Sequence, residues 1–120
     1  MADVAIRRPV ELPGAGWLDT APPATRFVFR GDAAARAAAG SAFRIALPEA
    51  ACRAATDGTR AALWLGPDEY LLLAPDGEGA AIERELAQGL AGQAYSLVDV
   101  SHRQVGLGVT GPLAEWLLEH

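Results

Sequence analysis

The sequence contains no lysine and no asparagine, and only one cysteine, Cys52. Without lysine there is no side-chain amine for a Schiff base and none for the phosphate-gripping position of a nucleotide loop. A lone cysteine forms no internal disulfide, and no CxxC pair is present, so the expected compartment is a reducing cytoplasm. Histidine is nearly absent too. His102 and His120 stand apart from Cys52, without the paired spacing of a zinc site, and no metal is expected. Long apolar runs are also missing. Nothing approaches a membrane span, and Arg7-Arg8 have no apolar run behind them to make a signal peptide. Basic residues are outnumbered, ten against fifteen acidic, for a net charge of −5. That balance argues against nucleic acid or a membrane as partner.

The 120 residues are 51% hydrophobic and 21% charged, the composition of one globular domain. Pro9, Pro13, Pro22 and Pro23 crowd the first 25 residues and exclude a long helix or central strand there. Residues 1–25 therefore read as an extended proline-rich arm, with Trp17 as its anchor on a partner. Arg26–Arg30 is a short strand, with Phe27 and Phe29 on one face. Asp32 is placed to N-cap a helix over Ala33–Ala39 that Gly40 stops. Phe43, Ile45 and Leu47 alternate with smaller residues and suggest an extended segment; Ala50–Ala54 suggests a single helical turn. The clearest hairpin runs Arg60–Leu65 and Tyr70–Ala74, turning at Pro67-Asp68. Ile82, Leu86 and Leu90, spaced four apart, define a helix over Gly79–Ala91, and Tyr95–Val100 returns as a strand. Cys52 reads as a small buried hydrophobe, and Glu83 and Glu85 as a solvated helix face.

Taken together, residues 26–100 give the βαββαβ order of a ferredoxin-like layer, an α+β fold with an antiparallel sheet and two helices on one face. A further strand, Gln104–Val109, and helix, Pro112–Glu119, open a second unit that is not completed. Residues 26–120 thus read as a single α+β domain, truncated at its C-terminus. Leu113, Trp116 and Leu117 recur at helical spacing and predict an apolar face buried on the sheet or on a partner.

Two motifs invite chemistry and fail on geometry. Gly106–Gly111 satisfies GxGxxG, but its glycines alternate with Leu and Val at strand period and the helix starts only after the third, so no phosphate cradle forms. Their expected role is close packing within a strand. Asp99, Ser101 and His102 have the residue types of a hydrolase triad. Adjacent strand residues point to opposite faces, however, and no strand–turn–helix elbow lifts Ser101. Asp99 and Ser101 are instead expected to bond local backbone. Asp99, Ser101, His102 and Arg103, at a strand corner, remain the candidates for contact with a ligand or partner, together with Trp17. No catalytic, cofactor-binding or metal-binding residue is assigned.

Asp99-Val100-Ser101-His102, the alternating strand after it and Thr110-Gly111-Pro112 resemble the DxSH…TGPxA segment of the folate-binding aminomethyltransferase (T-protein-like) superfamily. Leu63–Leu73, LWLGPDEYLLL, placed upstream of VDVSHR, narrows the resemblance to the gamma subunit of heterotetrameric sarcosine oxidase. The two blocks span most of Ala61–Leu118. The resemblance implies a cytoplasmic, chiefly structural chain in a complex that oxidatively demethylates sarcosine to glycine. It also implies alpha, beta and delta subunits as partners, with FAD, FMN, NAD and tetrahydrofolate carried on those subunits and none on this chain. Two alternatives stand beside it: a tetrahydrofolate-binding aminomethyltransferase-like protein, and a stand-alone ferredoxin-like binding module.

Overall fold

The computed structural model describes residues 10–14, 16–20, 22–102 and 107–119. They form, in order, β1 (Val10–Leu12), β2 (Gly16–Thr20), β3 (Ala24–Gly31), α1 (Ala33–Phe43), β4 (Ala54–Thr56), β5 (Ala61–Gly66), β6 (Glu69–Pro75), α2 (Gly79–Gly89), β7 (Tyr95–Asp99), β8 (Leu107–Thr110) and α3 (Ala114–Glu119). The chain divides into two compact units. Ala24–His102 is the larger, and Met1–Pro23 with Arg103–His120 the smaller.

The larger unit holds a five-stranded antiparallel sheet in the order β4-β5-β6-β3-β7. Its inward face follows from period-two alternation. Phe27 and Phe29 on β3 stand beside Leu72 and Tyr70 on β6, with Ala62 on β5, and all are buried. Ala35, Ala39 and Phe43 from α1 and Ile82 and Leu86 from α2 complete one apolar cluster with them. Asp32 caps α1 as expected, its Oδ1 accepting from the Ala35 N–H at 2.9 Å. The Pro67-Asp68 turn joins β5 to β6, with a register shift between Trp64 and Gly66. Trp64 packs against the core.

Several expectations need correction. Gly40 does not stop α1, which continues to Phe43 and ends where Arg44 takes the left-handed conformation, φ 68°. Gly40 is there for space: a Cβ on it would come within 3.2 Å of the Ile45 carbonyl oxygen. Phe43 is therefore helical, and no strand forms over 43–47. Cys52 is exposed, not buried, because it occupies a turn at φ 62°. After that turn the chain forms the three-residue edge strand β4 instead of continuing a helical turn.

In the smaller unit β1, β2 and β8 form a three-stranded antiparallel sheet, Trp17 lying opposite Thr110 and Leu18 opposite both Val10 and Val109. The stretch read as an extended arm thus carries a hairpin. Pro13 falls in its turn and Pro22-Pro23 beyond its second strand, where a missing N–H costs no ladder bond. Gly108 is not a close-packing site, since a Cβ on it would lie 3.9 Å from the Asp19 carbonyl, an ordinary contact. Gly106 lies outside the described residues. The final helix begins at Ala114, after a turn over Gly111–Leu113. Leu113 and Trp116 are 45% and 54% exposed in this chain, so its own sheet does not bury them, and of the two expected covers only a partner is left. The i, i+3 spacing predicted an apolar face correctly; it could not say that anything covers it.

Candidate functional site

The DVSH corner is where β7 leaves the sheet. The antiparallel ladder brings Arg26, near the start of β3, opposite Val100, whose N–H donates to the Arg26 carbonyl at 2.9 Å. Ser101 carries the pairing one step further with its side chain. Its Oγ accepts from the Arg26 N–H at 2.9 Å and donates to the Arg26 carbonyl at 3.3 Å. The Arg26 guanidinium returns a bond from Nη1 to the Ser101 carbonyl at 3.3 Å. Asp99 shapes the turn itself, its Oδ1 accepting from the Ser101 N–H at 2.9 Å. Its Oδ2 lies 3.8 Å from where a Cβ on Gly79 would stand, beside the first residue of α2. Glu78, the N-cap of α2, makes no side-chain capping bond. The Asp99 carboxylate thus puts negative charge close to the positive end of that helix.

This arrangement clasps two strands and does not present a nucleophile. The Ser101 hydroxyl proton is directed at a backbone carbonyl and one of its lone pairs at a backbone N–H, so no base is aligned to activate it. Of the five candidates, Asp99, Ser101 and His102 come together at the corner, with His102 exposed. Trp17, in β2 of the smaller unit, is 48% exposed. Arg103 lies outside the described residues.

Two further features escaped the sequence reading. Arg60 is nearly enclosed, with 14% of its side chain exposed. It donates to the Phe43 carbonyl at 3.1 Å, lies over the Phe43 ring at 5.2 Å, and approaches Glu78 at 3.2 Å and Glu85 at 3.6 Å. Glu85 also meets Arg44 at 3.4 Å, so it belongs to an ion cluster and not simply to a solvated face. No spacing rule pairs residue 60 with residues 43 and 85. The second feature is an open groove of about 650 Å³ beside α1, lined in part by Arg36, Ser41, Arg44, Glu49 and Tyr70. Arg36 and Arg44, two helical turns apart, were the visible signal. Both already have protein partners, the Gly31 carbonyl and Glu85, and the Tyr70 hydroxyl donates to the Pro48 carbonyl at 2.6 Å. Among the described residues no cluster of three or more His, Cys, Asp or Glu is placed to hold a metal. Among the described residues no helix is long and apolar enough to cross a membrane.

Two antiparallel sheets with three helices among the described residues, and a DVSH corner turned inward on its own backbone, define the class: a mixed α+β chain. The chain belongs to the sarcosine oxidase, gamma subunit family, whose model matches residues 30–119. It is 41% identical over 88 residues to sarcosine oxidase subunit gamma of Arthrobacter sp, covering 73% of this chain and 41% of that protein. To the subunit gamma of Corynebacterium sp. (strain P-1) it is 42% identical over 62 residues, 52% of this chain and 29% of the relative. A chain of the heterotetrameric sarcosine oxidase from Corynebacterium sp. U-96, solved in complex with pyrrole 2-carboxylate, matches with a TM-score of 0.78 at 29% identity. That match covers 89% of this chain and 56% of the other. The present chain therefore spans less than half the length of the two curated relatives.

Proposed function

We propose that this chain is a non-catalytic assembly element of a heterotetrameric sarcosine oxidase, a cytoplasmic complex that oxidatively demethylates sarcosine to glycine. Its partners are the alpha, beta and delta subunits, which carry FAD, FMN, NAD and tetrahydrofolate. The observation that carries the absence of catalysis is Ser101, whose hydroxyl is engaged on both sides by the Arg26 backbone. Family membership carries the complex.

The architecture we assign to Ala24–His102 is a ferredoxin-like layer with β4 added at one edge. The strand order β5-β6-β3-β7, with helices following β3 and β6, supports that assignment. Asp99 and Ser101 serve to hold the β7 corner, and His102, Arg103 and Trp17 are left to meet neighbouring subunits.

Co-expression with the other three subunits tests the reading. A tagged version of this chain is expected to bring down a flavin-bearing complex with sarcosine-dependent turnover, while the chain alone, supplied with free flavin, has none. Peroxide production from sarcosine by the chain alone would overturn the non-catalytic role. Failure to join the flavin-bearing subunits would overturn the assembly role.

A further inference from the structure

The open groove beside α1 has two walls of different make. One is a face of α1, where Ala33, Ala37, Gly40 and Ser41 recur at helical spacing between Arg36 and Arg44. The other is the run Ala46–Glu49, which is neither helix nor strand. Ile45 is buried, Ala46 exposed and Leu47 packed on the core, the alternation of an extended chain. Leu47 also precedes a proline, which favours the same conformation. Two contacts fix the walls. Gly40 lets the second come close to the first, since a Cβ there would stand 3.3 Å from the Leu47 nitrogen. The hydroxyl of the buried Tyr70 holds the Pro48 carbonyl at 2.6 Å. The groove is therefore preformed. In an extended chain successive residues turn their backbone groups to opposite edges, so Leu47 and Glu49 share the edge away from that bond. Among the described residues, neither their N–H nor their C=O groups enter a hydrogen bond, and the same holds for Ala46.

We infer that this groove takes an extended, acidic segment of another oxidase subunit, which adds to the Leu47–Glu49 edge as a strand does and sets carboxylates on Arg36 and Arg44. The inference rests on the assembly reading above and names one surface through which assembly works. Charge decides the occupant. The groove is lined by two guanidinium groups and one carboxylate, Glu49, in a chain whose net charge is −5. Neither arginine is used up. Arg36 gives one of its several N–H donors to the Gly31 carbonyl at 3.0 Å. The Arg44 side chain is 74% exposed and meets Glu85 only at 3.4 Å, a surface pair of small worth. Their sequence separation corresponds to about 12 Å along the helix axis. Carboxylates four residues apart on an extended chain share one face and lie about 13 Å apart, a close match. A second copy of this chain is the poorer occupant. Its described carboxylates outside helices and strands stand in caps and turns, at Asp32, Asp57, Asp68, Asp76 and Glu78, apart from Glu49 itself.

Hydrogen exchange read by mass spectrometry, on the chain alone and in the complex co-expressed with the other subunits, tests this. The amides of Ala46, Leu47 and Glu49 are expected to exchange fast in the chain alone and to slow by roughly tenfold or more in the complex. Arg36→Glu combined with Arg44→Glu should abolish that slowing or keep the chain out of the complex, while residues 27–43 still exchange slowly. Arg84→Glu, at an exposed arginine outside the groove lining, should do neither. If the double reversal unfolds the chain, seen as fast exchange over 27–43, Arg44→Gln alone decides and should reduce the slowing by about threefold. The inference is overturned if the three amides are already slow in the chain alone, or slow only as its own concentration rises. It is equally overturned if the slowing survives these groove substitutions, or is lost as fully in Arg84→Glu. A complex in which the three amides stay fast overturns it and leaves the assembly reading standing. Failure to form any complex overturns both.

Discussion

The two units use the same materials to different effect. Each has an antiparallel sheet whose strands alternate, each has tryptophan, leucine and valine, and each has a helix. In the larger, Phe27, Phe29, Tyr70 and Leu72 meet α1 and α2 and are at most 1% exposed. In the smaller, Trp17 and Trp116 remain about half in water. Alternation chooses the face that a strand offers. A core exists only where a second layer closes on that face.

The sharpest test of that contrast is Phe29→Ala, which removes a ring with no solvent exposure from the centre of the larger sheet. It is expected to cost on the order of 3–5 kcal/mol in urea denaturation. A cost under about 1 kcal/mol would mean that the cluster is loosely packed and the contrast empty. Ser101→Ala should come next, at about 1–3 kcal/mol, because the Arg26 N–H loses its acceptor where β7 ends. Faster exchange of the Val100 amide in that variant would localise the loss to the clasp. Trp116→Ala in the isolated chain should move the larger unit's stability by no more than about 0.5 kcal/mol. A cost matching that of Phe29→Ala would erase the distinction between the units.

The smallest effect concerns pH. The Arg60 N–H, then the Thr59 N–H and hydroxyl, hold the Asp57 carboxyl below its usual range. A carboxylate with a depressed folded pKa adds stability above its unfolded pKa and loses it as pH falls through the folded one. Asp57 is fully exposed, so the contribution is slight. Asp57→Asn should nonetheless flatten the fall in urea midpoint between about pH 5 and about pH 3. An unchanged slope would remove the loop from the account.

What the sequence revealed tracks how local each interaction is. The β5–β6 hairpin, the Asp32 cap and helix α2 were legible because their signals lie within a few residues of one another. β4 was not, because three residues of Ala-Ala-Thr carry no alternation and are strand only by pairing with β5. Phe43 was misplaced because it heads an alternating run and yet ends a helix; the neighbour that settles the matter, Arg60, lies seventeen residues on. At the DVSH corner Asp99 meets the expectation of local backbone bonding, whereas the Ser101 side chain bonds backbone far away in sequence. The strand that Ser101 clasps, 75 residues away, was invisible. The N-terminal strands escape a reading of proline density as irregularity because Pro13 sits in the turn between them and Pro22-Pro23 lie beyond the second.

The place of β3 in the larger sheet also bears on how the chain reaches this state. β3 lies between β6 and β7, so neither of its neighbours is next to it in sequence. The β5–β6 hairpin closes through a two-residue turn, an event of about 1–10 μs, and can form while β3 still waits. β3 then gains β6 across a loop of some forty residues, and β7 only once nearly a hundred have been made. During synthesis from the N-terminus, Phe27 and Phe29 therefore emerge long before their last strand. Until Tyr95–Asp99 follows, one edge of β3 stays open to any extended chain nearby.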